Sequence, residues 1–267
     1  MSHAPVPILK VKHLSHRYAG GPAALQDVSF SVGMGEIVGL VGPNGAGKTT
    51  LLLHLNGLLL GTRSRPSPPQ ANPLDKDVAA VEVLGMPVVP ANLTEIRRIV
   101  GFMFQDPDDQ LFCPTVGEDV AFGPLNLGFP QEEARRRVQE SLAAVGLAGF
   151  EKRAPQYLSF GERRRVCLAG VLACEPDLLA LDEPSSNLDP RSRRRLIEIL
   201  RPLPAAQVVA SHDLEMILEL CHRVLVLDQG RIQADGPTRE VLANASLMEA
   251  HGLEVPLSIR YGGGVRS

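Results

Sequence analysis

Short apolar segments and amphipathic ones alternate along this chain. From Ile8 to Tyr18, and again from Gln26 to Val32, apolar positions recur at strand spacing, with Val28, Phe30 and Val32 on one face. Gly20-Gly21-Pro22 between them is a turn signal, so an antiparallel pair is expected. Glu36–Gly42 then carries a continuous apolar run (Ile37, Val38, Leu40, Val41), and similar runs recur at Arg98–Gln105, Leu178–Asp182, Gln207–Ser211 and Arg223–Asp228. Helical patterns lie between them. Glu132 and Glu133 sit in the first turn of a helix after Pro130, and Ala134, Val138, Leu142 and Val145 make its apolar stripe. A second helix is expected from Gly161 to Glu175, with Val166, Ala169, Leu172 and Ala173 inward and Pro176 ending it, and a third over about Pro190–Leu200. Short apolar runs alternating with helices predict an α/β fold around a parallel sheet buried on both faces.

Two segments depart from this plan. Gly61–Pro73 is polar, proline-rich and without periodicity, which reads as a flexible surface loop, an insertion over about 61–76. The residues beyond Gly262 read as a disordered end.

Composition removes several classes. With 27 Lys+Arg against 30 Asp+Glu the net charge is −3, and 44% hydrophobic with 21% charged residues is ordinary for a globular chain. Nothing in that balance calls for nucleic acid. The most apolar stretch, Leu51–Leu60, is broken by His54 and Asn56 and falls well short of the roughly 18 residues a spanning helix needs. The first residues lack the basic start and apolar block of a secretory signal. Cys113, Cys167, Cys174 and Cys221 stand far apart, so reduced thiols in a soluble intracellular protein are expected.

The decisive segment is Gly42-Pro43-Asn44-Gly45-Ala46-Gly47-Lys48-Thr49-Thr50, which fits G-x-x-x-x-G-K-[ST], follows an apolar strand and precedes a helix starting near Lys48. Glycines let the backbone curl so that successive N–H groups face phosphates, and the helix N-terminus adds about half a positive charge. Lys48 is expected at the outer phosphates and Thr49 on Mg²⁺. A second strand ends in Asp182-Glu183-Pro184. Alone, such a pair is usually a cap or a turn; beside a phosphate loop, Asp182 is expected to complete the Mg²⁺ shell and Glu183 to orient or deprotonate the attacking water.

Leu158-Ser159-Phe160-Gly161-Glu162-Arg163, shortly before that acidic strand, resembles the signature motif of ATP-binding cassette (ABC) ATPases. Other family elements follow in order: Tyr18 matches the aromatic that stacks on adenine, Gln105 the Q-loop glutamine, Ser186-Asn187-Leu188-Asp189 the D-loop, and His212 the switch histidine that contacts the γ-phosphate. The resemblance spans about residues 6–245. It implies a P-loop NTPase fold with a parallel core sheet, an antiparallel β subdomain and a helical signature subdomain over about 106–165, followed by a short tail over 246–267. It also implies catalytic roles for Glu183, His212 and Gln105, Mg²⁺ on Thr49, Gln105 and Asp182, and ATP on the Gly42–Thr50 loop. In the family, the signature (here Leu158–Glu162) faces the nucleotide of a second ATPase subunit, so a head-to-tail homodimer that opens on hydrolysis is expected, with a heterodimer of ATPases as the alternative.

Phe160 and Glu162 stand where the commonest signature has Gly and Gln. Glu162 places a negative charge where phosphate is expected; Arg163, Arg164 and Arg165 either offset it or form a solvated helix face. His3, His13, His16, His54, His222 and His251 show no metal-ligand spacing and read as surface or structural. The stretch Phe104–Pro124, together with Ser159–Glu162 and Ala234–Thr238, resembles the ATPases of energy-coupling factor transporters, especially the cobalt/nickel group. What that resemblance implies is an ATPase that powers import of cobalt or nickel, or alternatively a vitamin. It would sit peripherally on the cytoplasmic membrane face, with a transmembrane coupling subunit and a substrate-capture membrane subunit as partners. Leu111 and Phe112, flanked by acids, are either part of a docking groove for the coupling subunit or packing under the helical subdomain. A soluble ABC ATPase acting on DNA or ribosomes fits less well, and a plain P-loop kinase would leave the signature, D-loop and His212 unexplained.

Overall fold

The computed structural model describes residues 7–60, 62–63 and 79–262. In chain order the elements are β1 (Leu9–Arg17), β2 (Ala23–Val32), β3 (Ile37–Val41), α1 (Lys48–Leu55), β4 (Thr62–Arg63), β5 (Val81–Val83), β6 (Met86–Pro87), α2 (Leu93–Ile99), β7 (Val100–Met103), α3 (Val116–Asn126), α4 (Gln131–Ala144) and α5 (Phe160–Leu172). They continue with β8 (Leu178–Asp182), α6 (Pro190–Leu200), β9 (Ala206–Ala210), α7 (Leu214–Leu220), β10 (Arg223–Asp228), β11 (Arg231–Pro237), α8 (Thr238–Ala243), α9 (Ala245–Ala250) and α10 (Leu257–Gly262).

Two sheets organise the chain. One has the order β11-β10-β3-β9-β8-β7, parallel from β10 to β7 with β11 an antiparallel edge. All five residues of β3, β8 and β9 are buried, as a parallel sheet covered on both faces requires. Strand alternation splits their side chains between two cores. Ile37, Val41, Leu179, Leu181 and Val209 join the helices α3–α7, while Val38, Leu40, Leu178, Ala180 and Val208 pack toward α1 and the second sheet. That second sheet, β2-β1-β5-β6 with β4 on β1, is antiparallel, and the expected β1–β2 pair forms one side of it.

Two expected bounds shift. The run Arg98–Gln105 divides: Arg98 and Ile99 close α2, whose Glu95 in the first turn and Arg97 and Arg98 in the last suit the helix dipole, and the strand is only Val100–Met103. The helix expected to Glu175 stops at Leu172. Glu175, with φ of 50°, turns the chain before Pro176, which disfavours helix in the residue preceding it. Of the proline-rich 61–76 stretch, only Thr62 and Arg63 are described, paired with Ser15 and Leu14; the rest of it and the residues beyond Gly262 lie outside the described residues.

His54 on α1 is structural. It is 1% exposed, and its Nδ1–H donates to the Thr50 carbonyl at 2.6 Å. Burial pushes its pKa down to about 4. Between the ordinary value of about 6.5 and 4 the unfolded chain therefore binds a proton that the folded chain refuses. Stability is expected to fall as pH drops through that window, by on the order of 3 kcal/mol. Urea unfolding at pH 7 and pH 4.5 measures the slope. His54→Gln should flatten it, and an unchanged slope would show that another group carries the dependence.

Candidate functional site

The parallel strands end together on one edge of the sheet, and the residues singled out by sequence follow those ends. β3 runs into the Gly42 loop, β8 into Asp182 and Glu183, β9 into Ser211 and His212, and β7 toward Gln105. The register fixes their order, with Leu40 and Asp182 both beside Ala210 and Met103 beside Leu181.

The glycines of the loop are sterically required at two points. A Cβ at Gly42 would stand 1.9 Å from the Leu227 carbonyl oxygen, so the loop lies against the end of β10. Gly47, at φ 106°, is the N-cap of α1, and a Cβ there would meet the Ala24 carbonyl at 2.5 Å. Asn44, Gly45 and Thr49 are exposed, whereas Ala46 and Thr50 are buried. Lys48 folds back over the loop. Its Nζ donates to the carbonyls of Gly42 at 2.8 Å and Pro43 at 3.2 Å, and only 8% of the residue is exposed. Burial lowers its pKa, and the nearby charges of Glu183 and Asp182 oppose that shift.

Asp182 is 2% exposed; burial raises its pKa, and a hydrogen bond from the Thr49 hydroxyl draws it back. Its Oδ1 is buried with no protein partner among the described residues. An orphaned carboxylate oxygen beside a hydroxyl fits Mg²⁺, which takes one or two protein oxygens and fills its shell with water and phosphate. Among the described residues no group of three or more His, Cys, Asp and Glu is arranged to hold a metal ion by itself.

Glu183 adopts φ of 46°, a left-handed conformation that costs a non-glycine residue about 1 kcal/mol or more. Three backbone bonds hold it there. Its N–H donates to the Ala210 carbonyl at 2.8 Å, and its own carbonyl accepts from the Ser186 N–H at 3.1 Å and from Arg164 Nη2 at 2.6 Å. The carboxylate Oε2 thereby meets the His212 ring Nδ1 at 2.7 Å and the His212 N–H at 3.2 Å. Ser211 Oγ lies 3.4 Å from the same oxygen. The structure so brings Glu183 and His212 into direct contact and leaves Gln105 exposed at the end of β7.

Tyr18 is half exposed; its hydroxyl lies 3.1 Å from Thr50 Oγ1, and its ring meets that of His16 edge-on at 4.7 Å. The signature forms the start of α5. Ser159 is the N-cap, and it forms a reciprocal box with Glu162. Ser159 N–H and Oγ donate to Glu162 Oε2 at 2.8 and 2.7 Å, and the Glu162 N–H returns to Ser159 Oγ at 3.3 Å. The Ser159 bonds hold the Glu162 carboxyl below its usual range. Its charge is thus absorbed by its own helix end. Leu158 is buried, while Gly161 faces α6, where a Cβ would stand 3.1 Å from Ser192 Oγ. Asp189 caps α6, accepting from the N–H groups of Arg191 and Ser192 and from the Ser192 hydroxyl.

The arginine run divides, contrary to a uniformly solvated face. Arg163 pairs with Asp108 at 2.7 Å, but Arg164 is 2% exposed and bonds the Phe104 and Glu183 carbonyls. Sequence reasoning missed Arg164 and Ser211 as parts of this site. A triple arginine in a helix signals charge, and only the packing of α5 against the strand ends reveals which member is buried.

A phosphate-type loop at one strand end, an acid pair at the next and an imidazole at a third define, with this fold, a P-loop ATPase. The profile of the ABC transporter family matches residues 25–186, and the chain belongs to that family. A Gloeobacter violaceus protein, named only provisionally as an ABC transporter ATP-binding protein, is 53% identical over 94% of this chain and 98% of its own. The energy-coupling factor transporter ATP-binding protein EcfA of Methanothermobacter thermautotrophicus is 43% identical, over 93% of this chain and 77% of its own. Among solved structures, cbiO1 of Clostridium perfringens, described as part of the ABC transporter complex cbiONQ, superposes with a TM-score of 0.76. It is 31% identical, with 96% of each chain covered.

Proposed function

We propose that this chain is the ATPase subunit of an energy-coupling factor type importer and that cobalt or nickel ions are the cargo. The similarity to EcfA and to cbiO1 supports the transporter class. No described helix is long and apolar enough to cross a membrane, so in this reading the chain works through docking on the cytoplasmic membrane face. The observation that carries the reading is a groove of about 1100 Å³ between α3 and α4, lined among others by Ala121, Phe122, Leu125, Ala134, Val138 and Glu151. Leu111 packs into the helical core, but Phe112 is exposed and meets the exposed Phe122 edge-on at 4.8 Å. An apolar groove with acidic neighbours suits an amphipathic helix of a transmembrane coupling subunit, with a substrate-capture membrane subunit completing the transporter.

In the same reading the Gly42–Thr50 amides and Lys48 hold the outer phosphates of ATP, and Tyr18 supports adenine. Thr49 and Asp182, with Gln105, hold Mg²⁺, which when bound neutralises phosphate charge. Glu183 takes the proton of the attacking water, and His212 orients it and reaches the γ-phosphate. Ser159 and Gly161 present the start of α5 to the nucleotide of a second, head-to-tail subunit, and Asp189 lies beside that junction. The cassette is residues 6–245, with the signature subdomain over about 106–165 and 246–267 as a short tail.

Phe122→Glu tests the docking surface. Coprecipitation with the tagged membrane partners is expected to fall at least about tenfold, with nucleotide binding unchanged, because a buried charge replaces an apolar anchor. Undiminished capture would overturn the groove. Cells carrying the complete transporter should accumulate radioactive cobalt or nickel in an ATP-dependent way; no uptake of either would remove the cargo assignment alone.

A further inference from the structure

We propose that Arg164 is a positioning residue for hydrolysis: its buried guanidinium ties the start of the signature helix to the backbone that aims Glu183 and Gln105. This rests on the reading of Glu183 as the group that takes the water's proton. Arg164 lies on α5, one turn beyond the Ser159 cap, and is 2% exposed. Its two terminal nitrogens go to the residues that follow two different strands, β7 and β8. Nη1 donates to the Phe104 carbonyl at 2.9 Å, immediately before Gln105, and Nη2 donates to the Glu183 carbonyl at 2.6 Å.

A planar fork holds two donor nitrogens at a fixed separation and direction, whereas an ammonium offers donors from a single nitrogen. Both acceptors matter for direction as well as stability. Glu183 occupies a strained left-handed conformation at φ 46°, and such a residue persists only where its surroundings over-determine it. The bond from Arg164 is one of the two its carbonyl accepts. Releasing it lets the peptide relax and swings the carboxylate away from His212, with which it now shares a 2.7 Å contact. At the other pole, the Phe104 carbonyl precedes a residue with no regular structure to hold it, since β7 ends at Met103.

An isolated buried cation is unfavourable. Burial lowers the pKa of Arg164, and the nearby charges of Asp106, Asp182 and Glu183 oppose that shift in part. One further group covers it: the Phe160 ring, with the Arg164 guanidinium carbon 5.5 Å from its centroid. Phe160 is one of the two residues by which this signature departs from the commonest one, and Arg164 stands four positions on, on the same helix face. The departure and the buried arginine therefore form one device. A phenyl ring at the second signature position shields a cation that reaches across to the hydrolytic strand ends. A change at the start of α5, where the second subunit's nucleotide is expected, then reaches Glu183 through a single side chain.

The test is Arg164→Met and Arg164→Lys in the full-length chain, each with and without Glu183→Gln. ATPase kcat and KM are measured together with the binding of a fluorescent ATP analogue. Arg164→Met is expected to lower kcat at least about tenfold while analogue affinity stays within about twofold, because Arg164 touches none of the Gly42–Thr50 loop. Arg164→Lys, keeping the charge and one carbonyl bond, should fall between it and the parent. On the Glu183→Gln background each change should slow the residual hydrolysis far less, since of the two groups they position only Gln105 remains. A folded Arg164→Lys chain with parental kcat overturns the inference, as does an equal fold-loss on both backgrounds. Parental turnover in Glu183→Gln itself instead overturns the role of Glu183, and this proposal with it.

Discussion

Glu183→Gln is expected to bind ATP as tightly as the parent chain and to hydrolyse it at least about 100-fold more slowly, the usual range for losing a general base. Glutamine is nearly isosteric, and its amide oxygen still accepts from the His212 N–H, now 3.2 Å from Oε2. The geometry at β8 and β9 is thus retained and only basicity is lost. Binding survives because the loop that would meet the phosphates is built separately, from Gly42 to Thr50 and the start of α1. A chain that binds but does not hydrolyse should accumulate as the closed dimer, visible as a doubling of mass by light scattering in ATP and absent in ADP. Phosphate release in a single turnover gives the rate. Hydrolysis at the parental rate would show that another group accepts the proton. A slow monomer in ATP would separate the catalytic reading, which would stand, from the pairing one, which would not.

The sequence carried the architecture where burial is periodic. β8, β10 and α6 coincide with their expected bounds because their apolar positions are continuous or helically spaced and ended by charge, Pro or turn residues. β11 was invisible for the opposite reason. As an edge strand with Arg231, Gln233 and Asp235 exposed, it turns only Ile232 and Ala234 inward, too short an apolar alternation to declare it. α3 did have a signal, the Thr115–Glu118 capping box, which periodicity alone overlooks. At the site, Lys48, Asp182, Glu183 and His212 were legible as a set because each ends or follows a buried strand. Their couplings were not. The left-handed turn at Glu183, the burial of Arg164 and the capture of Glu162 by Ser159 depend on which peptide groups lie opposite. A string of residues does not contain that information. Phe112 and Leu111 make the same point on the surface, adjacent in sequence yet one exposed and the other packed into a core.

Lys48→Ala is the complementary loss. Its affinity for ATP is expected to fall about 10- to 100-fold, the worth of a charge-assisted bond to phosphate. The free chain should lose little. Lys48 is 8% exposed and donates to the Gly42 and Pro43 carbonyls, and burial disfavours its charged form against the opposing charges of Glu183 and Asp182. Removing it relieves desolvation as well as deleting two bonds, so the melting temperature without nucleotide should stay close to the parent's. The stabilisation that ATP confers should shrink, because it scales as RT ln(1 + [ATP]/Kd). At an ATP concentration about 100 times the parental Kd, a 100-fold weaker site retains only about 0.4 of the parent's roughly 2.7 kcal/mol. Paired thermal melts with and without ATP therefore separate a binding defect from a folding defect in one experiment. Glu183→Gln should show the full shift where Lys48→Ala shows about half of it or less. Equal shifts in the two variants would mean that the loop amides and the α1 terminus hold the phosphates unaided, and that Lys48 serves the loop whose carbonyls it bridges.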